Sequence, residues 1–159
     1  MGVKAEALAR QFEAKAAEAA RLVEAITDAD WKKVTDAEKW TVGVTAHHVA
    51  SAHETIVTLI TTVASGQSVR NLTLDMLHAA NAKHAEDYAD CTRAETLDLL
   101  KKGAATAAAA VRALRDDQLG NSGTVLTGAP AMTAEQVITD VLINHIDDHF
   151  GSIRRTIGR

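Results

Sequence analysis

The chain has one cysteine, one proline and aromatic residues at only 3 % of its 159 positions. Cys91 has no partner for an internal disulfide, which predicts a reducing, cytoplasmic setting. With Pro130 as the sole proline, long stretches are free of helix breakers. There is no excess of basic charge: the net charge is -4, which argues against a nucleic-acid partner. No apolar run approaches the roughly 18–20 residues of a membrane span. Met1-Gly2-Val3-Lys4-Ala5-Glu6 leads into an amphipathic pattern instead of the apolar core of a signal peptide. No internal repeat and no strong strand signal are present.

What the chain does have is alanine, 31 residues of the 159, and histidine, seven residues. The alanine favours long helices. At 47 % apolar and 24 % charged, the chain reads as one globular domain over residues 1–159, long enough to bury its own core. Five of the seven histidines fall in two windows, 47–53 and 145–149.

Apolar periodicity predicts four long helices. The first, from about Lys4 to Ile26, carries Ala5, Leu8, Phe12, Ala16, Ala19, Val23 and Ile26 on one face. Thr35-Asp36-Ala37-Glu38 has the form of a capping box and predicts a short helical turn. The second long helix, about Val42 to Ala64, has the stripe Thr45, Val49, Ala52, Ile56, Leu59 and Val63 and stops at Ser65-Gly66. A shorter helix with a thin apolar face lies between Leu72 and about Asp90. Thr92-Arg93-Ala94-Glu95 caps the third, whose stripe runs from Leu97 to Leu114, with the small residues of Gly103–Ala110 suited to close packing. Residues 116–132 read as a loop long enough to serve as a lid or rim. Thr133-Ala134-Glu135-Gln136 caps the last helix, which reaches about Ile157. Together these elements form an all-α four-helix bundle.

At 100° per residue, the direction of each histidine can be compared with its stripe. His48 lies about 60° from the core direction, His47 roughly opposite it and His53 about 80° off on the other flank. The reading is therefore His48 inward and His47 solvated. His145 and His149, four residues apart, sit one above the other in the middle of the last helix's apolar stripe. An inward histidine is either a core residue with satisfied nitrogens or a ligand, and an i, i+4 pair suits two imidazoles on one metal. His145-Ile146-Asp147-Asp148-His149 is not a zincin motif, because Ile146 stands where that mechanism needs glutamate. No Glu-x-x-His pair supports a di-iron carboxylate bundle.

In an up-down-up-down bundle the second and fourth helices run parallel, and His48 stays at a different height from His145. If the third helix runs parallel to the second, the fourth becomes antiparallel to it, and His48 and His149 approach the same end. That up-down-down-up arrangement needs a long crossover between helices two and three, which the residues from Gly66 to Cys91 can provide.

Trp40-Thr41-Val42-Gly43-Val44-Thr45-Ala46-His47-His48-Val49-Ala50 resembles the tryptophan-to-histidine segment of the DinB-like superfamily, and His145-Ile146-Asp147-Asp148-His149-Phe150-Gly151-Ser152-Ile153 resembles its C-terminal histidine pair. Where that family commonly has Arg, Gly and Gln after the last histidine, this chain has Phe150, Gly151 and Ser152, so only the glycine matches. The resemblance implies a four-helix bundle of up-down-down-up topology. It also implies a divalent metal (Zn, Ni or Fe) held by His48, His145 and His149, and a homodimer. It further implies metal-dependent chemistry on a small-molecule substrate: S-transfer from a low-molecular-weight thiol cosubstrate such as bacillithiol or mycothiol, thiol-dependent isomerisation, or hydrolysis. A non-catalytic stress-response bundle that binds a metal or small ligand is the alternative. Cys91, Trp31, Trp40, His78, His84, Asp147 and Asp148 are read as packing or surface residues, with the segment of His78 and His84 able to rim the site.

Overall fold

The computed structural model describes residues 2–159. Helix α1 spans Val3–Ala25, and a four-residue α2 (Asp28–Trp31) follows. Thr27 caps α2 through its hydroxyl to the Asp30 amide, so the polar stretch after α1 is itself briefly helical. Residues 36–38 form the single expected turn, with the Lys39 amide donating to the Thr35 carbonyl. A bridge between Val34 and Thr41 closes it, and the Thr35 amide donates to the Trp40 carbonyl. The capping pattern at Thr35 therefore makes a single turn with no helix behind it.

Helix α3 (Val42–Ala64) begins at Thr41, whose hydroxyl accepts from the Val44 amide. It ends where Gly66 adopts a left-handed φ of 81°. Gly43 is needed for contact: a Cβ there would lie 2.5 Å from the indole of Trp31. That indole donates to the Cys91 carbonyl at 3.0 Å, tying α2 to the start of the third long helix.

The crossover carries α4 (Leu74–Asp87), which lies along α3 and has no buried residue. Helix α5 (Arg93–Arg112) opens with the full Thr92/Glu95 capping box. Its small residues let it approach α3 closely, and a Cβ on Gly103 would sit 3.3 Å from the Ala50 carbonyl oxygen. Arg112 clamps the far end of α5 to α1 by donating to Glu6 and to both oxygens of Glu13.

A short α6 (Asp116–Leu119) and a hairpin of β1 (Ser122–Gly123) and β2 (Met132–Thr133), antiparallel with Gly123 opposite Met132, break up the expected 116–132 loop. The loop is strapped to the crossover: the Val69 amide donates to the Thr124 carbonyl and the Thr127 amide to the Leu72 carbonyl. It therefore sits beyond the C-terminal end of α3. His48 lies 16 residues before Ala64, about 24 Å along the axis at ~1.5 Å per residue. The loop is thus neither lid nor rim for the histidines.

The last rod begins with α7 (Ala134–Gln136), whose Thr133/Gln136 capping box is present. It passes through a π-helical segment, Val137–Ile143, and continues as α8 (Asn144–Ile157). The ion pairs Lys15–Asp147 and Arg154–Glu18 show that this rod runs parallel to α1. The starts of α3 and α5 meet through Trp31, so those two helices run parallel to each other and antiparallel to α1. The topology is up-down-down-up. Phe12, Leu100, Ile138, Leu142, Phe150 and Ile153 fill the core between the four rods.

Candidate metal centre

The antiparallel packing of α3 on α8 brings His48, His145 and His149 together. One ring nitrogen from each lies within 4.8 Å of the other two. His48 Nε2 and His145 Nε2 are 3.0 Å apart. Two unprotonated nitrogens at that distance would repel unless a proton or a cation lay between them. The edge of a tetrahedron of imidazole nitrogens around a metal at ~2.0–2.1 Å is roughly 3.3 Å, so the spacing is close to that of a ligand set. The rings pack edge-on, with centroids 4.9 Å apart for His48 and His149 and 4.5 Å for His145 and His149.

Protonation favours the same use. Burial is the main reason that His48 is pushed down to about 4 and His145 to about 3, with His149 the next largest influence on each. Both imidazoles are therefore neutral at physiological pH, the form a metal requires.

His149 is held by a residue that the sequence did not single out. Glu38, on the turn between α2 and α3, accepts from His149 Nδ1 at 2.9 Å through Oε1, and from the Ser152 hydroxyl at 2.7 Å through Oε2. The side chain of Glu38 is only 9 % exposed. Burial pulls its carboxyl upward, but hydrogen bonds from Thr35, Ser152 and His149 outweigh that and hold it below the usual range. A carboxylate at Nδ1 fixes the tautomer with the Nε2 lone pair free, the arrangement that orients and strengthens metal-binding histidines. His145 Nδ1, by contrast, is buried with no partner. The donor set, the neutral rings and the carboxylate behind His149 fit a divalent cation.

Two further histidines differ from expectation, and a third rims the site. His47 is not solvated: it is 6 % exposed, stacked on Tyr88 at 4.1 Å, and its Nδ1 lies 2.8 Å from His84 Nε2. His84, whose segment is able to rim the site, does line the cavity. It reaches back from α4 to His47 and to the Ser51 hydroxyl at 3.3 Å, and its ring meets His48 edge-on at 5.7 Å. His53 is fully buried, edge-on to Phe12, with neither nitrogen partnered, and burial lowers it to about 4. His47 is buried with every residue from Val42 to Ala50, because α3 is covered by α4 as well as by α5 and α8, while His53 is covered by Phe12 of α1 and lies against Gly103 of α5. A single apolar stripe does not describe a helix packed on all sides. His78, Asp147 and Asp148 are exposed, as the helical faces predict.

The histidine cluster opens into a cavity of about 470 Å³ between α3, α4 and the last rod, within the ~300–1,000 Å³ usual for small-molecule sites. Trp40 forms part of its wall and packs edge-on to His48 at 5.2 Å, so it shapes the cavity. Cys91 does not face the cavity; it is half-buried, and burial raises its thiol instead of activating it.

The family model described as mycothiol maleylpyruvate isomerase N-terminal domain matches residues 12–147. No curated protein matches the chain in sequence. Among solved structures, the chain is similar to YfiT from Bacillus subtilis, described as a probable metal-dependent hydrolase with an unusual four-helix bundle topology. The TM-score is 0.76 at 18 % identity, over 99 % of this chain and 90 % of that one. It is also similar to the mycothiol-dependent maleylpyruvate isomerase, with a TM-score of 0.74 at 13 % identity, and to a point mutant of that enzyme at 0.73 and 12 %. In both cases the match covers 94 % of this chain and 60 % of the longer one. At these identities the likeness to the solved structures establishes the fold.

Proposed function

The chain belongs to the mycothiol maleylpyruvate isomerase N-terminal domain family, within the DinB/YfiT-like superfamily, and on that premise we propose that it is a divalent-metal-dependent enzyme acting on small molecules. Its ligands are His48, His145 and His149, and its first activity is S-transfer from a low-molecular-weight thiol to an electrophile. The observation that carries this reading is the convergence of three imidazoles on one cavity, with Glu38 holding the third. A Zn²⁺, Ni²⁺ or Fe²⁺ ion with three histidine ligands has open positions and acidifies a thiol or water bound there.

The chain's own residues divide the remaining work. Glu38 orients His149, and Ser152 orients Glu38. The apolar walls from α3 and α4 exclude water from the nucleophile. In the transfer, the thiol proton passes to solvent. The sulfur electron pair forms the new C–S bond, and the leaving group departs with the pair of the broken bond. Hydrolysis is the same chemistry with water as the nucleophile.

The test is metal content after purification without an affinity tag, for the wild type and His145→Ala. The expected result is one metal per wild-type chain and little in the variant; a metal-free wild type overturns the proposal. With metal present, conjugation of a thiol to a chlorinated aromatic, or isomerisation of maleylpyruvate, separates an enzyme from a non-catalytic binder.

A further inference from the structure

The cavity that meets the three histidines is defined by what its walls carry. Ala52, Ile56 and Leu59 of α3, Leu77 of α4 and Val141 of the π-helical segment give it a mainly apolar lining. The polar groups among them are uncharged hydroxyl, amide and indole groups and imidazoles: Ser51, Thr55, Asn81, Trp40 and the histidines. Among the described residues, no lysine, arginine, aspartate or glutamate lines it. The carboxylate of Glu38 lies behind His149, bound to that ring and to Ser152, and does not line the cavity.

From this wall we infer that the reactant sharing the cavity with the thiol is an uncharged molecule with a mainly apolar surface, and that carboxylate-bearing electrophiles are poor substrates. The inference rests on the thiol-transfer reading above and adds a substrate class to it. A buried carboxylate without a partner costs several kcal/mol, and sites that take anions normally place arginine, lysine or backbone donors against them. Away from the three histidines, an anionic group would meet Ile56, Leu59, Leu77 and Val141, with only neutral donors such as the Thr55 hydroxyl and the Asn81 amide among them and no cation. Maleylpyruvate carries two carboxylates, so at most one of them could be answered at the histidine end. The size suits a compact partner: 470 Å³ corresponds to roughly fifteen water-sized volumes of ~30 Å³ each.

The test uses a matched pair of the same shape, 4-chloro-3-nitrobenzamide and 4-chloro-3-nitrobenzoate, with zinc-loaded protein and 2-mercaptoethanol. Conjugation forms the aryl C–S bond and breaks C–Cl; chloride leaves with its electron pair and the thiol proton goes to buffer. After division by the uncatalysed rates, kcat/KM is expected to favour the amide by about tenfold or more. In parallel, calorimetric titration of the unreactive 3-nitrobenzamide and 3-nitrobenzoate, with the same thiol present, is expected to show the same order. Asn81→Lys, which adds a cation to the α4 wall, is expected to move both ratios toward the carboxylate, with an unchanged thermal melt as the folding control. Equal or better use of the benzoate by the wild type overturns the inference and leaves thiol transfer standing. A binding preference for the amide with turnover of neither chlorinated compound keeps the character of the cavity and overturns thiol transfer.

Discussion

Replacing Glu38 by glutamine isolates what its charge contributes to the histidine cluster. Glutamine has nearly the same shape. Its carbonyl oxygen can accept from His149 Nδ1 while its amide donates to the Ser152 hydroxyl, which is able to accept. Both contacts of 2.9 and 2.7 Å can therefore be kept while the negative charge is lost. The position is shielded, with the carboxylate 9 % and the His149 side chain 19 % exposed, so solvent screens the interaction weakly. Charge-assisted hydrogen bonds are roughly twice as strong as neutral ones, and loss of the group behind a metal-binding histidine typically weakens the metal about 10–100-fold. Glu38→Gln is thus expected to lower zinc affinity by about 1.4–2.7 kcal/mol at pH 7.5. Competition against a chromogenic chelator reads that change. Ser152→Ala, which leaves the charge in place, is expected to lose less. An affinity for zinc in Glu38→Gln equal to that of the wild type would refute the role assigned to the carboxylate.

Two further perturbations probe the scaffold. His53 is buried and neutral, with a folded value of about 4 against an ordinary 6.5. Because the folded value is depressed, the unfolded chain binds more protons below pH 6.5. Stability is full above that pH and falls as the pH drops toward 4. For metal-free protein this loss is about 2 kcal/mol between pH 7.5 and 5. His53→Leu is expected to gain that amount relative to wild type over the same interval in urea unfolding, and a difference that does not change with pH would count against it. Gly43→Ala drives a methyl to 2.5 Å from Trp31 and displaces the indole from the Cys91 carbonyl. A cost of about 1–3 kcal/mol and a shifted tryptophan emission are expected; unchanged stability would mean that Trp31 can move freely.

Much of this architecture can be read from local pattern. The stripes of α1, α3, α5 and α8 and the boxes at Thr92 and Thr133 mark the rods and two of their starts, because each depends on residues three or four apart. The length of the crossover permits the parallel course of α3 and α5, and the resemblance to the family chose it. The turn at Glu38 shows where such reading stops: its local form suggests a helix start, but its partner lies 111 positions later on α8. The readings of His47 and His53 fail for a related reason. Whether a face is wet depends on what covers it, and the cover on α3 comes from other helices. The π-helical Val137–Ile143 has no sequence period of its own, although it leads directly into His145.

The crossover helix separates two kinds of selective pressure. The three histidines and Glu38 stand on elements that also build the core, so changes there touch folding and function together. Helix α4 contributes Leu77, Ala80, Asn81 and His84 to the cavity, yet none of its residues is buried. Substitutions on such a helix typically shift stability by only about half a kcal/mol. A lineage can therefore exchange residues along one face of α4 and alter which molecules fit the cavity, with little risk to the fold. The same topology that delivers His48 to the C-terminal pair gives this bundle a wall that can diversify while its centre stays fixed.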